Sequence, residues 1–343
     1  MKANYQIVSQ EIMESSNKLK EEFNSLRNEA ISDQDLPDIE ELITYLAETI
    51  KVDSLDLFID YIDWGAELFQ SRSYALTLFE EQLQLLLEVF ANQFAEDRLV
   101  VIEEYINAGL KTLNSEAGTT KSFLSAEEPY SELAADYLEL ILNSNKEAAY
   151  RLIQESVENG TEIKDIYLYV FEPIQKEIGR LWQMNELSVA TEHYCTGLTQ
   201  LIMSQLYPYI LNSSGTDYQA VTTCVGDELH ELGVRMIADL LELEGWDTFH
   251  IGANTPREDI IETVIDKRPD LVCISVTIAN YLDNAAQLIE RLREIEEIEE
   301  IKIMVGGYPF NIQKNLWQEI GADGYAPNAQ ESVVIAEGLV EAD

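Results

Sequence analysis

The loop Glu228-Leu229-His230-Glu231-Leu232-Gly233 carries the residues of this chain that are best suited to chemistry. An imidazole binds a metal through one ring nitrogen, and Glu228 can accept a hydrogen bond from the other. A carboxylate in that position fixes the tautomer and raises the basicity of the ligand. Gly233 leaves the next helix without a side chain at its start, so a bulky group could approach. Taken alone, the pattern also fits a helix-capping loop with a surface histidine.

Two later loops offer hydroxyl groups and bare backbone. Ser275-Val276-Thr277 ends one predicted strand, and Gly306-Gly307 ends the next. Such residues are expected where a long polar tail threads into a fold. These two loops support the interpretation of His230 as a metal ligand, because each of the three loops follows the carboxyl end of a predicted strand.

The strands and helices that carry these three loops form the last part of the chain. From residue 218 onward, short apolar strands alternate with amphipathic helices five times. This pattern predicts a doubly wound parallel sheet over 217–343, resembling flavodoxin. Ligands of such sheets bind outside the carboxyl ends of the strands, where the three loops lie.

Helices precede the sheet. Apolar residues recur at i, i+3, i+4 and i+7, which predicts a bundle of four or five helices over 1–115 and a four-helix bundle over 131–212. Residues 116–130 are the predicted linker. Asp53-Ser54 and Ser71 are predicted helix starts, because their side chains can cap. The predicted fold class is therefore α/β plus all-α.

The three loops together resemble the motif of the cobalamin-binding domain family, which runs Asp/Glu-x-His-x-x-Gly, then Ser-x-Leu or Ser-x-Thr, then Gly-Gly. The resemblance covers about 218–340 and implies that His230 is the lower axial ligand of the cobalt. It implies that the nucleotide tail of the cofactor runs past Ser275 and Thr277 towards Gly306 and Gly307, and it places Leu229 at the cofactor. A dinucleotide-binding Rossmann domain is the alternative at the level of the fold, but no Gly-x-Gly-x-x-Gly follows the first strand.

The second bundle resembles the cap of the CarH-type light-sensing transcription regulators, in which a Trp is followed after nine residues by Glu-His. Here these are Trp182 and Glu192-His193. The resemblance implies that Trp182, Val189, Glu192 and His193 line the upper face of adenosylcobalamin. Core positions in a helical bundle are the alternative for Trp182 and His193.

The chain departs from that resemblance in two places. Gln183 stands where the best-known members have a histidine that can take the upper cobalt position, and His193 or Cys195 would have to substitute for it. The segment 1–115 also lacks the basic DNA-recognition helix of those regulators, and it looks like a bundle for protein interaction or ligand sensing.

The functional hypothesis is a cobalamin-binding sensor, responsive to light through adenosylcobalamin, that signals through a protein partner and is not an enzyme. The alternatives are a corrinoid carrier or methyltransferase subunit, a storage or delivery protein, and a photoreceptor that combines cobalamin with a bilin. A homo-oligomer is also expected.

The composition narrows the possible partners. The chain has 343 residues, with 64 acidic and 22 basic residues and a net charge of −42. Such a surface repels nucleic acid and anionic membranes. Three scattered cysteines favour a reducing cytoplasm, and neither a signal peptide nor a membrane span is predicted.

Overall fold

A computed structural model describes residues 2–26, 39–115, 120–211 and 215–341. The described residues form two compact units. The first unit comprises five helices together with Ile278–Asp283 and Ile312–Glu319, and the second comprises a helical bundle and a sheet. Residues 116–119 of the predicted linker, and residue 212 at the end of the predicted bundle, lie outside the described residues.

The five helices of the first unit bury the recurring apolar residues from which they were predicted. They are α1 (Lys2–Leu26), α2 (Ile39–Lys51), α3 (Leu55–Ser71), α4 (Leu76–Gln93) and α5 (Glu96–Leu113). Leu42, Phe58 and Phe79 are fully buried among the described residues of this core. Ser54 caps α3 as predicted, since its Oγ accepts a hydrogen bond from the amide of Leu57 at 3.3 Å.

The predicted helix start at Ser71 is wrong. Ser71 is the last residue of α3, and α4 begins at Leu76 after Ala75, which makes no side-chain cap. Ser71 instead donates its hydroxyl hydrogen to the carbonyl of Leu68 at 2.9 Å. A serine can bond to either end of a helix, so its presence near a break does not say which end it occupies.

The helical bundle of the second unit contains α6 (Ser131–Leu142), α7 (Lys146–Glu158), the short α8 (Ile163–Ile166), α9 (Glu172–Gln183) and α10 (Val189–Ile210). A π-turn, Tyr167–Phe171, joins α8 to α9. Pro173 explains the wider turn, because it has no amide hydrogen and its ring displaces the carbonyl of Tyr169, four residues earlier.

The sheet has five parallel strands in the order β2-β1-β3-β4-β5, which confirms the predicted fold class. The strands are β1 (Gln219–Cys224), β2 (Asp247–Gly252), β3 (Leu271–Ser275), β4 (Lys302–Gly306) and β5 (Gly324–Ala326). The helices between and after them are α11 (Leu232–Leu243), α12 (Arg257–Lys267), α13 (Leu282–Arg293), α14 (Tyr308–Ile312), α15 (Leu316–Glu319) and α16 (Ala329–Glu341). Every residue of β3 is buried, as expected for a central strand covered on both faces. None of the described helices is long and apolar enough to cross a membrane.

Candidate functional site

His230 lies in the loop between β1 and α11, at the carboxyl edge of the sheet. Its side chain is 59% exposed, whereas the side chain of Glu228 is fully buried. Glu228 Oε1 pairs with Nδ1 of the His230 ring and also accepts a hydrogen bond from the His230 amide at 3.1 Å. This contact assigns the ring hydrogen to Nδ1, so Nε2 carries the lone pair that a metal would take.

Glu228 also ties this loop to the end of the third strand. Its Oε2 accepts a hydrogen bond from the amide of Thr277 at 3.0 Å. The hydrogen bond from His230 to Glu228 raises the pKa of the imidazole, partial burial lowers it, and the charge of Glu192 raises it further. Glu192, on α10, is therefore within electrostatic reach of the loop.

Small residues line the carboxyl edge beside the loop. Cys224, Ser275, Gly306 and Ala326 lie in register across four neighbouring strands. A Cβ on Gly306 would lie 3.1 Å from the carbonyl oxygen of Ala326. The loops after β3 and β4 approach still more closely, since a Cβ on Gly307 would lie only 1.9 Å from the carbonyl oxygen of Val276.

Open space lies at one glycine that follows the loop and at one glycine of α10. Among the described residues, no heavy atom outside the neighbouring backbone lies within 4 Å of a Cβ built on Gly233, at the start of α11, or on Gly197, on α10. An exposed imidazole nitrogen on a ring held from behind by a buried carboxylate is a donor that fits the metal of a macrocyclic cofactor, and the glycine at the start of α11 places no side chain beside it. The residues therefore fit a corrinoid.

The residues predicted for the upper face lie on α9 and α10. Trp182 is half-buried at the end of α9, and Val189 begins α10 with 51% of its surface exposed. His193 is 75% exposed and pairs through Nδ1 with Glu192 Oε2. Gln183 is buried. Their contact with a cofactor stays a prediction.

Sequence reasoning missed the contacts of Glu231 and Gln200. Gln200 Nε2 donates to Glu231 Oε1 at 3.0 Å, across 31 residues of sequence. No pattern among neighbouring residues of the sequence predicts that these two side chains meet. His250, for which no ligand role was predicted, lies with Nδ1 2.9 Å from Thr222 Oγ1, and burial lowers its pKa.

Two family models match the chain, mostly within the second unit. Both are described as B12 binding domain, and they cover residues 133–207 and 218–334. Helices α1–α5 lie outside both ranges. The two matches coincide with the helical bundle and the sheet whose facing elements carry the residues described above.

Corrinoid proteins are among the relatives. The chain is 25% identical over 207 residues to the trimethylamine corrinoid protein of Methanosarcina barkeri, which is 59% of this chain and 94% of that protein. It is 30% identical over 121 residues to dimethylamine corrinoid protein 3 of Methanosarcina mazei, which is 35% of this chain and 71% of that protein. Other dimethylamine corrinoid proteins are matched over about half of their length, 55%.

A similar fold occurs in a solved structure. The monomethylamine corrinoid protein of Methanosarcina barkeri superposes with a TM-score of 0.55 at 22% identity, over 63% of this chain and 100% of that chain. The matched domains and the relatives define a corrinoid-binding protein with a helical bundle and a parallel sheet. The chain belongs to the family of B12-binding corrinoid proteins.

Proposed function

We propose that this chain is a corrinoid carrier that passes a methyl group between partner methyltransferases. The observation that carries the proposal is the Glu228–His230 pair at the open carboxyl edge of a B12-binding domain. The methylamine corrinoid proteins among the relatives support the carrier over the light sensor expected from the cap motif. The partners and the methyl donor are part of the proposal.

The residues of the chain would share the work as follows. A bound corrinoid supplies a cobalt that accepts and donates a methyl group. His230 Nε2 would hold that cobalt, because Glu228 keeps the ring hydrogen on Nδ1 and leaves the lone pair on Nε2. Thr277 donates its amide hydrogen to Glu228 and keeps the carboxylate in place. Ser275 and Gly306, small and in register, leave room for the cofactor tail.

The upper face suits a transferable group. Gln183, which has no imidazole, is buried, and His193 is turned to solvent beside Glu192. Gln183 would therefore offer no imidazole to compete with a methyl group for the cobalt. A partner enzyme would then approach from the side of α9 and α10.

A light-responsive sensor that binds adenosylcobalamin is the second candidate function. Trp182 and the Glu192-His193 pair support it, since they repeat the spacing found in the light-sensor cap. In this case Trp182 would stack on the adenosyl group. Loss of the adenosyl group on illumination would then allow the bundle to move against the sheet.

The lower-ligand assignment is tested by spectroscopy of the purified full-length chain with hydroxocobalamin. Wild type should show the absorption of a histidine-bound corrinoid. His230→Ala should show an altered, base-off spectrum, and Glu228→Gln should weaken binding about 10–100-fold. His250→Gln is the matched control, because it alters a histidine of the same unit that is bonded to Thr222. An unchanged spectrum and affinity in His230→Ala would refute the assignment.

A second experiment separates the carrier from the sensor. Wild type and Trp182→Ala are loaded with methylcobalamin or adenosylcobalamin, and light scattering is measured before and after illumination. The carrier predicts comparable affinity for both cofactors and no change in size with light. A preference for adenosylcobalamin that disappears in Trp182→Ala, together with a light-dependent change in size, would establish the sensor.

A further inference from the structure

A second carboxylate, that of Glu231, follows the proposed cobalt ligand directly and makes a separate set of contacts. Glu231 precedes the first residue of α11, yet its side chain does not cap that helix. Its Oε1 accepts a hydrogen bond from Gln200 Nε2 at 3.0 Å, and its Oε2 accepts one from the amide of Ala253 at 3.0 Å. The carboxylate therefore joins three elements: the His230 loop, α10 and the loop after β2.

The end of β2 is shaped around this carboxylate. Gly252 has φ of +83°, and a Cβ placed on it would lie 2.7 Å from Glu231 Oε2. A side chain at that position would expel the carboxylate from the Ala253 amide. Oε2 of Glu231 is therefore bonded to the loop after β2, and Oε1 is bonded to α10 of the bundle.

Two of the side-chain hydrogen bonds between α10 and the region of α11 lie one turn of α10 apart. Gln200 bonds to Glu231, the residue next to His230. Ser204 Oγ accepts a hydrogen bond from Nη2 of Arg235, a residue of α11, at 2.7 Å. Only the first of these bonds reaches the loop that carries the ligand, so a shift of α10 would pull on the loop at Glu231.

We infer that the Gln200–Glu231 hydrogen bond couples the position of α10 to the attachment of His230 to cobalt. Glu231 and Gln200 are positioning residues, because they act through the loop and not on the corrinoid. With the bond intact, the loop is held and the histidine-on state is favoured. When α10 is displaced, the loop is released and the histidine-off state gains population. This inference rests on the proposed corrinoid function.

The test measures histidine attachment directly in the full-length chain loaded with cob(II)alamin. Electron paramagnetic resonance resolves coupling to an axial nitrogen. In a chain labelled with ¹⁵N, the histidine nitrogen gives a two-line splitting and the ¹⁴N of the cofactor's own benzimidazole gives a three-line splitting, so the spectrum reports the ratio of histidine-on to histidine-off cofactor. Gln200→Ala should lower that ratio by about five-fold or more, the lower end of typical coupling between sites. Ser204→Ala, which breaks the neighbouring bond from α10 to α11, is the matched control and should leave the ratio unchanged.

A double-mutant cycle assigns the effect to the pair. Glu231→Ala should lower the ratio as well, and Gln200→Ala should have no further effect in that background. If Glu231→Ala does not fold, the comparison of Gln200→Ala with Ser204→Ala decides alone. Equal ratios in those two variants, or a full effect of Gln200→Ala without Glu231, would overturn the coupling.

The two proposals fail differently. A ¹⁵N-labelled wild-type chain that takes up cob(II)alamin without axial coupling to a protein nitrogen would refute the His230 assignment, and the inference about Gln200 and Glu231 would fail with it. A wild-type chain with nitrogen coupling whose Gln200→Ala variant behaves like wild type would refute the coupling alone.

Discussion

At the scale of single residues, Gly307 shows the closest backbone approach at the candidate site. Its φ is +111°, a region that L side chains rarely adopt. The same residue lies so near Val276 that a Cβ would overlap the carbonyl oxygen of that residue at 1.9 Å. Both constraints act together, because the loops after β3 and β4 are bonded through the Val276 amide and the Gly306 carbonyl at 3.0 Å.

Gly307→Ala should therefore destabilise the protein strongly, by about 3 kcal/mol or more, since it combines backbone strain with overlap. The matched control is Gly338→Ala, in an exposed turn of α16 where a Cβ would meet no described atom within 4 Å. That change should be neutral or stabilising by up to about 1 kcal/mol. Urea unfolding of both variants measures the difference, and equal stabilities would contradict the argument.

Glu48 is a buried carboxyl in the first unit. Its side chain is 4% exposed, and among the described residues its Oε2 has no hydrogen-bond partner. Burial raises the pKa of the Glu48 carboxyl to about 8; the charge of Asp283, in the same unit, adds to the rise, and Lys51 opposes it. The folded state therefore holds this proton more tightly than the unfolded chain does.

The sign of the pH dependence follows from that shift. The contribution of Glu48 to stability is greatest below the unfolded pKa of about 4.5 and is lost as pH rises to about 8. Glu48→Gln should remove this loss and raise stability at pH 8 by on the order of 3 kcal/mol relative to wild type. Chemical unfolding at pH 5 and pH 8 measures it, with Glu88→Gln on the exposed side of α4 as control. A parallel pH dependence in wild type and Glu48→Gln would count against the explanation.

At the scale of elements, the π-turn of the bundle is hydrogen-bonded to α11. The Tyr167 hydroxyl donates to Asp239 Oδ2 at 2.7 Å, and both residues are buried. Burial raises the pKa of Asp239 to about 6, while the hydrogen bond from Tyr167 and the charge of Arg235 lower it. This bond joins the turn that leads into α9 to the helix that follows the His230 loop.

Tyr167→Phe should leave Asp239 without that donor and cost about 1–3 kcal/mol of stability. The cost should be larger at pH 8, where Asp239 is ionised, than at pH 5, where it holds a proton. Denaturant unfolding at the two pH values measures the effect. Tyr209→Phe, at a tyrosine of α10 that is 42% exposed, is the control and should change little. A loss that is the same at both pH values would show that packing, and not the hydrogen bond, is responsible.

At the scale of the whole molecule, the main feature is the excess of acidic residues over basic residues. Acidic residues outnumber basic residues by 64 to 22, and the net charge is −42. Affinity for duplex nucleic acid comes largely from lysine and arginine replacing counterions on phosphate groups. We expect no salt-dependent retention of duplex DNA by the purified chain in a gel-shift assay at physiological salt. Retention with a steep dependence on salt would refute this and would reopen a direct role in transcription.

Much of this protein could be predicted from its sequence, because the relevant contacts are short in sequence. Apolar periodicity reports local geometry, so the helices of both units, the five strands and the parallel order of the sheet were predictable. The Glu228–His230 contact was predictable for the same reason, since two residues of one loop need no distant packing to meet. The cobalamin motif added the cofactor class, which the B12-binding family models support.

Only the tertiary structure decided which distant residues meet. The amide of Thr277 reaches Glu228 across 49 residues, Gln200 reaches Glu231 across 31, and Tyr167 reaches Asp239 across 72. Each bond depends on how a helix or loop packs on the sheet, and polar side chains of this kind are equally compatible with solvent in the sequence alone. The sequence therefore determined the elements and the Glu228–His230 contact, whereas packing decided which hydrogen bonds join the bundle to the His230 loop and to α11.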